Sequence, residues 1–211
     1  MNAQTLRQML PGPAGALACA VDEPTGMPLR GVAVICHPNP TQGGTLDNKV
    51  AQTLARAFVQ LGYRAVRFNF RGVGGSEGSW DEGRGEVDDA VAVAQAFRQE
   101  GLPLALAGFS FGGYVCSHAA QRLAAEGVAV ERLCLVGPAA SRFGMTTVAA
   151  DSVVIHGEVD DVVPLSAVLD WARPQALPVT VVPGVGHFFH GQLPLLKTLV
   201  VRSWHTAASI S

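Results

Sequence analysis

A serine stands at the centre of the segment 108–112, which reads Gly-Phe-Ser-Phe-Gly and follows a short apolar run. A helical pattern begins directly after it, which gives the strand-turn-helix context in which a Gly-x-Ser-x-Gly motif exposes a reactive serine. Gly108 and Gly112 let the backbone make this sharp turn without a clash from a Cβ atom. The following helix points its N-terminus at the turn, where the N–H of Phe111 can stabilise an oxyanion. The segment therefore predicts that Ser110 is a nucleophile rather than a serine in an ordinary glycine-rich turn.

A serine hydroxyl is a weak nucleophile until a base takes its proton, so this hypothesis requires a histidine and a carboxylate. Both follow Ser110, because Asp160 and then His187 come after later apolar runs. The order serine, acid, histidine is one in which such triads occur. Asp161 is the neighbouring alternative to Asp160, and His190 competes with His187 as the base. The remaining histidines are interpreted as structural residues: His37, His118, His156 and His205.

A second oxyanion donor is expected from the loop that contains Pro38 and Pro40. Proline has no N–H, so between these positions only the backbone of Asn39 can donate a hydrogen bond. Thr41 or another neighbouring amide is the alternative donor. Asn39 and Phe111 are therefore the predicted oxyanion hole.

From residue 30 onward, short β-branched apolar runs alternate with longer amphipathic segments, which predicts an α/β protein with a mostly parallel sheet between helices. Seven strands are predicted, at Ala16–Val21, Gly31–Cys36, Arg64–Phe70, Leu104–Phe109, Arg132–Val136, Ser152–His156 and Val179–Val182. Five helices are predicted, at Asp47–Leu61 with Asp47 as N-cap, Glu86–Glu100, Phe111–Glu126, Ser166–Ala172 and Leu193–Ala207. Proline and glycine in the first 30 residues indicate an antiparallel hairpin beside this sheet. No linker or repeat interrupts the chain, so residues 1–211 are expected to form a single domain.

Five motifs, in this order and over nearly the whole chain, resemble the α/β-hydrolase superfamily and its small bacterial serine hydrolases with little or no lid. They are His37-Pro38-Asn39-Pro40 with Gly43-Gly44-Thr45, Asn69–Ser76, Gly108–Gly113, His156–Pro164 and Gly186–Phe189. The resemblance implies an α/β-hydrolase fold without a large cap domain, since only residues 137–151 stand where a cap is commonly inserted. It also places the acid of the triad at Asp160, because Pro164 fixes the register of that motif. The chain departs from the superfamily at Pro38, where glycine is usual, and at Asn69, where aspartate is usual.

The resemblance implies a carboxylesterase or thioesterase that forms an acyl-enzyme and acts on a small-molecule ester or thioester. An open rim of apolar side chains is expected to suit a short or medium acyl chain or a small aromatic ester. Its expected members are Phe109, Phe111, Phe143, Met145, Phe188 and Phe189, of which about half would be core residues. A peptidase or amidase with the same triad is one alternative, and a non-catalytic binding protein on the same fold is another. The sequence leaves the oligomeric state open, and a homodimer formed through an edge strand is one arrangement that it allows.

No cofactor or metal is expected, because the sequence has no P-loop and neither an HExxH nor an HxH pattern. The glycine-rich run 72–77 lacks the third glycine of a dinucleotide-binding fingerprint and is not followed at once by a helix. Arg71, just before it, is expected to hold loops together by hydrogen bonding rather than to bind substrate.

Composition excludes several classes of partner. Fifteen basic and seventeen acidic residues give a net charge of −2 with no basic run, which argues against nucleic acid and anionic membranes as partners. The apolar stretches are too short for a transmembrane helix, and residues 1–11 lack the apolar part of a secretory signal, so a cytoplasmic protein is expected. Four widely spaced cysteines in apolar contexts are expected to be buried free thiols. The excess of Arg over Lys and the abundance of Ala suggest a bacterial source.

Overall fold

The computed structural model describes residues 5–206, except for the side chains of 205 and 206. Within this range eight strands form one sheet in the order β1-β2-β4-β3-β5-β6-β7-β8. The hairpin β1–β2 is antiparallel and joins β4 antiparallel, whereas all other neighbouring strands are parallel. The strands are β1 (Leu6–Gly12), β2 (Gly15–Asp22), β3 (Gly31–Cys36), β4 (Tyr63–Phe68), β5 (Leu104–Phe109), β6 (Arg132–Val136), β7 (Val153–Gly157) and β8 (Thr180–Val182).

Helices cover both faces of the sheet: α1 (Lys49–Gln60), α2 (Arg84–Phe97), α3 (Phe111–Ala125), α4 (Leu165–Ala172) and α5 (Leu193–Thr206). Side chains alternate along each buried strand, so one strand supplies two cores. On β3, Val32 and Val34 belong to the core with α2, α3 and α4, while Ala33 and Ile35 belong to the core with α1 and α5. The carboxyl ends of the parallel strands lie at one edge of the sheet, where ligands bind in open α/β sheets.

The predicted α/β class with a mostly parallel sheet is confirmed, and three strand predictions match the observed bounds at both ends. The predicted hairpin is present, but its first strand, β1, was missing from the predicted strands, because it is an edge strand whose side chains are mostly exposed. Residues 137–152 connect β6 to β7 without a helix or strand, so no large cap is inserted there. Ala207, the predicted end of the last helix, lies outside the described residues.

The predicted N-cap of α1 was wrong. The cap is Asn48, whose side chain accepts hydrogen bonds from the backbone N–H groups of Val50 and Ala51. Asp47 instead directs its carboxylate to Arg7 and Arg67, two partners that are distant in sequence. Tertiary ion pairs therefore decided between two adjacent residues of similar capping propensity.

A buried ion pair joins the loop after β4 to α2. Arg71 was expected to hold loops together by hydrogen bonding, and its partner in the structure is the helix residue Asp89. Asp89 is fully buried and accepts hydrogen bonds from Nη2, Nε and the backbone N–H of Arg71, at 2.7, 3.1 and 2.9 Å. Removing one partner of such a pair leaves an uncompensated charge in a site of low polarity. This salt bridge thus ties the start of the glycine-rich loop to α2.

We expect Asp89→Ala to lower the free energy of unfolding by about 3 kcal/mol, because the Arg71 charge would stay buried without its counterion. Urea denaturation measures this loss. Asp88→Ala is the matched control, since its pair with Arg122 is between half-exposed side chains and is worth at most about 1 kcal/mol. Equal losses in the two variants would show that Arg71–Asp89 is not the anchor.

Candidate active site

Ser110 sits in a strained turn between β5 and α3. Its backbone has φ 55° and ψ −118°, a region that residues other than glycine rarely adopt. The turn is held by a hydrogen bond from Ser110 N–H to Val136 O at 2.9 Å and by bonds from Gly113 and Ala139 N–H to Ser110 O. The strand-to-helix turn predicted from the Gly-x-Ser-x-Gly motif is therefore present.

Two glycines make this turn sterically feasible. A Cβ at Gly108 would overlap the carbonyl oxygen of Gly112. A Cβ at Gly112 would overlap the carbonyl oxygen of Cys36 and lie 2.8 Å from that of His37. The first turn of α3 thus packs directly on the backbone at the end of β3. An alanine at position 112 would prevent this close approach.

Asp160 and His187 are in contact at the same edge of the sheet. Asp160 follows β7 and His187 follows β8, and His187 Nδ1 lies 2.7 Å from Asp160 Oδ2. The other carboxylate oxygen of Asp160 accepts hydrogen bonds from the N–H groups of Val162 and Val163 at 2.9 and 2.7 Å. His187 contacts Asp160 and not the neighbouring Asp161, which is exposed.

Two contacts of His187 involve residues next to the Ser110 turn. The ring of His187 stacks at 4.8 Å from the ring of Phe109, which precedes Ser110. It also lies against Gly137, the residue after the Val136 carbonyl that binds Ser110 N–H. Within residues 5–206 no hydrogen bond joins the Ser110 hydroxyl to His187, and in unliganded active sites this bond is often long.

Burial alone would raise the pKa of the Asp160 carboxyl. The hydrogen bonds that the carboxylate accepts from His187 and from the backbone of Val163 nevertheless hold the pKa below its ordinary value. The carboxylate is therefore ionised at neutral pH and can stabilise an imidazolium at His187.

His156 is a second imidazole at this carboxylate, a contact that sequence reasoning missed. Its Nε2 lies 3.0 Å from Val163 O and 3.5 Å from Asp160 Oδ2, while its buried Nδ1 has no partner among the described residues. Burial lowers the pKa of His156, so the ring is neutral and Nε2 carries its proton toward these two acceptors. The spacing of four residues between His156 and Asp160 was the available signal.

Hydrogen bonds between Asn39 and Thr41 hold the loop 38–41, which is predicted to supply the second oxyanion donor. Asn39 Oδ1 accepts hydrogen bonds from the backbone N–H and the hydroxyl of Thr41, both at 2.9 Å. This occupies the N–H of Thr41, the alternative donor. The N–H of Phe111 lies in the first turn of α3, where backbone donors have no partner within the helix.

His37 ties this loop to the loop after β4. Its Nδ1 lies 2.7 Å from Pro38 O, and its Nε2 accepts a hydrogen bond from Phe70 N–H at 3.2 Å. One nitrogen must donate and the other accept, so the ring has to be neutral. Burial accordingly lowers the pKa of His37 to about 4, although the hydrogen bond to Pro38 opposes the shift.

This histidine makes stability depend on pH in a defined window. The unfolded chain takes up a proton at His37 below its ordinary pKa of 6.5, while the folded chain does so only below about 4, so stability falls as pH drops between these values. We expect about 3 kcal/mol of loss from this group in urea denaturation. His37→Gln should flatten that part of the profile. Parallel profiles for the two proteins would contradict the assignment.

The predicted apolar rim is smaller in the structure. Phe109, Phe111 and Phe189 are fully buried, so Phe109 belongs to the core under His187 and its predicted place on the rim was wrong. Phe143 and Met145 are half-buried and Phe188 is 43% exposed.

Two further aromatic residues pack around Phe111 and escaped sequence reasoning. Trp80 lies 5.2 Å and Tyr114 5.7 Å from the ring of Phe111, and Phe143 stacks on both Phe111 and Tyr114 at 5.0 Å. Trp80 comes from the loop before α2, so the local sequence gave no signal for this contact. The residue after Ser110 is thus surrounded by half-buried aromatic side chains.

The other histidines and the cysteines have mostly structural surroundings. His118 Nε2 lies 2.8 Å from Gly144 O, His190 is exposed, and the side chain of His205 lies outside the described part. Four buried thiols are unpaired, as predicted: Cys19, Cys36, Cys116 and Cys134. Residues 5–206 contain no cluster of three or more His, Cys, Asp or Glu arranged to hold a metal ion. None of the described helices has both the length and the apolar character needed to cross a bilayer.

Comparison with known proteins identifies relatives of this chain. The family model described as serine aminopeptidase, S33, matches residues 29–150. A crystal structure of an α/β serine hydrolase without lid from Xanthomonas campestris is 39% identical, with a TM-score of 0.87 over 98% of this chain and 96% of that chain.

Two curated proteins match a part of the chain. An uncharacterized protein of Rickettsia prowazekii is 37% identical over 115 residues, which are 53% of this chain and 48% of that protein. Lysophosphatidylserine lipase ABHD12 of Danio rerio is 36% identical over 110 residues, 51% of this chain and 28% of the lipase. The matched region thus spans about half of the first relative's length and less of the second's.

Proposed function

Because the chain belongs to the serine aminopeptidase S33 family of α/β serine hydrolases, we propose that it hydrolyses small carboxylic esters or thioesters through Ser110, His187 and Asp160. The observation that carries the proposal is the hydrogen bond between Asp160 and His187 at the sheet edge that bears the strained Ser110 turn. A buried carboxylate that orients a histidine next to such a serine is the arrangement that activates a hydroxyl.

In the proposed reaction, Ser110 Oγ attacks the carbonyl carbon while His187 Nε2 takes the hydroxyl proton. The N–H groups of Phe111 and Asn39 stabilise the oxyanion that forms. The bond to the leaving alcohol or thiol then breaks as His187 returns the proton to it. Water, deprotonated by His187, attacks the acyl-enzyme, and Ser110 leaves with that proton.

Short or medium acyl groups fit the surroundings of Ser110 best. No helix or strand is inserted between β6 and β7 to cover a long chain, and Phe143 and Met145 offer limited apolar surface from that connection. Phe188 offers exposed aromatic surface next to His187, the residue that returns the proton to the leaving group. A relative named for lipase activity on lysophosphatidylserine supports an ester substrate.

A peptidase or amidase is the second candidate, because the matching family model carries the description of an aminopeptidase. The same three side chains would cleave an amide if the site held a peptide N-terminus. Substrate comparison, rather than the triad, separates the two functions.

The test is hydrolysis of p-nitrophenyl acetate, butyrate, octanoate and laurate and of leucine p-nitroanilide by the wild type and by Ser110→Ala. We expect turnover of the acetate and butyrate that vanishes in Ser110→Ala, with no anilide turnover above that background. Faster cleavage of the anilide than of the esters would establish the peptidase instead.

We also propose that the protein works in the cytoplasm on a small molecule. The buried, unpaired cysteines support a reducing compartment.

A further inference from the structure

A groove of about 490 Å³ opens beside His187 and is separate from the aromatic residues around Phe111. Its walls are residues 184–188 after β8, Asp161 and Val162 after β7, and His190 and Gln192. Neither Ser110 nor Phe143 lines it. Of the three proposed triad residues, only the base, His187, therefore lines the groove.

The formal charge of the groove is negative. Asp161 contributes an exposed carboxylate, and no Lys or Arg is found among its lining residues. Phe188 is 43% exposed and stands edge-on to His187, with ring centroids 5.0 Å apart. A carboxylate and an exposed aromatic ring in one groove attract a cation and repel an anion.

The proposed reaction indicates which part of the substrate would lie in this groove. His187 must deliver a proton to the leaving oxygen, so the leaving group has to lie against His187. The acyl group is bonded to Ser110, and we place it on the apolar surface of Trp80 and Phe143, which pack on Phe111 next to Ser110. A groove that shares His187 but not Ser110 is positioned for the leaving group.

We infer that this groove is the leaving-group subsite and that it selects esters of small hydrophilic alcohols that carry an ammonium group. Alcohols that carry phosphate or carboxylate are disfavoured, because Asp161 would repel them and no basic lining residue offsets it. The inference rests on the proposed esterase function, which it narrows to a substrate class.

The test compares butyrylcholine with 3,3-dimethylbutyl butyrate, in which a carbon replaces the charged nitrogen. Both esters are assayed at about pH 8, which is above the ordinary pKa of an imidazole, so that Asp161 is the charged group of interest in the groove. We expect the wild type to prefer the choline ester in kcat/KM. Asp161→Asn should lower that preference about fivefold and Phe188→Leu about threefold. Asp170→Asn removes an exposed carboxylate on α4, outside the groove, and should leave the preference unchanged.

The ratio of the two esters cancels any general damage to the loop that also carries Asp160. An unchanged ratio in Asp161→Asn, with p-nitrophenyl butyrate still hydrolysed, would overturn the inference and leave the esterase function intact. A loss of both rates in equal proportion would show instead that Asp161 supports catalysis and not selection. Failure to hydrolyse any of the three esters would overturn the esterase function and the inference with it.

Discussion

Asp160→Asn should lower kcat for p-nitrophenyl butyrate about 10⁴-fold without unfolding the protein. The carboxylate now accepts a hydrogen bond from His187 Nδ1, which leaves Nε2 free to take the Ser110 proton. An amide can present its NH₂ group to Nδ1, in which case the proton moves to Nε2 and the histidine can no longer act as the base. The loss should appear in kcat, because substrate binding does not depend on Asp160.

Asp161→Asn is the matched control, since it makes the same chemical change one residue away at an exposed carboxylate. Its kcat for the same ester should stay within about threefold of the wild type, because the p-nitrophenyl leaving group carries no cation for Asp161 to attract and an exposed charge contributes little otherwise. If Asp161→Asn lost more activity than Asp160→Asn, the acid would be Asp161 after all.

Gly112→Ala should lower the free energy of unfolding by more than about 4 kcal/mol, or prevent folding altogether. The new methyl group would overlap Cys36 O and press on His37 O, both of which are backbone atoms that cannot rotate away. Either α3 must move off the sheet or the end of β3 must bend, and each movement disrupts the proposed oxyanion hole. Such a large loss from one methyl group distinguishes this position from an ordinary helical glycine.

Urea denaturation of Gly112→Ala and Gly144→Ala gives the comparison. A Cβ at Gly144 would have no heavy atom within 4 Å, so this substitution should change stability by less than about 1 kcal/mol. Similar stability of the two variants would mean that the contact between α3 and β3 is not tight. The predicted cause of the glycine requirement in the serine turn would then be wrong.

Local patterns were sufficient where one segment determines its own structure. The strands Gly31–Cys36 and Leu104–Phe109 are short, apolar and bounded by turns, and their ends were predicted to the residue. The turn at Ser110 was predictable because the motif itself requires it: a Cβ at Gly108 would overlap the carbonyl oxygen of Gly112 in the same turn. The strand β1 was missed because an exposed edge strand has little hydrophobic pattern.

Contacts between distant segments were beyond sequence reasoning. Apolar character does not separate the fully buried Phe109 from the half-buried Phe143, since both are phenylalanines near the same motif. His156 and His37 were interpreted as structural residues, and only the tertiary structure shows that one faces Asp160 and the other fastens the Asn39 loop. Trp80 reaches Phe111 from a loop that the sequence does not connect with Ser110.

Covalent labelling by a fluorophosphonate ester, read by intact-protein mass spectrometry and peptide mapping, tests most directly whether Ser110 is an activated nucleophile. The wild type should gain one phosphonyl group, located on Ser110, and lose esterase activity in proportion. Ser110→Ala should gain none, while Ser141→Ala, an exposed serine in the connection after β6, should be labelled like the wild type. A wild type that stays unlabelled while folded, or a Ser110→Ala variant that is labelled equally, would show that Ser110 is not the nucleophile.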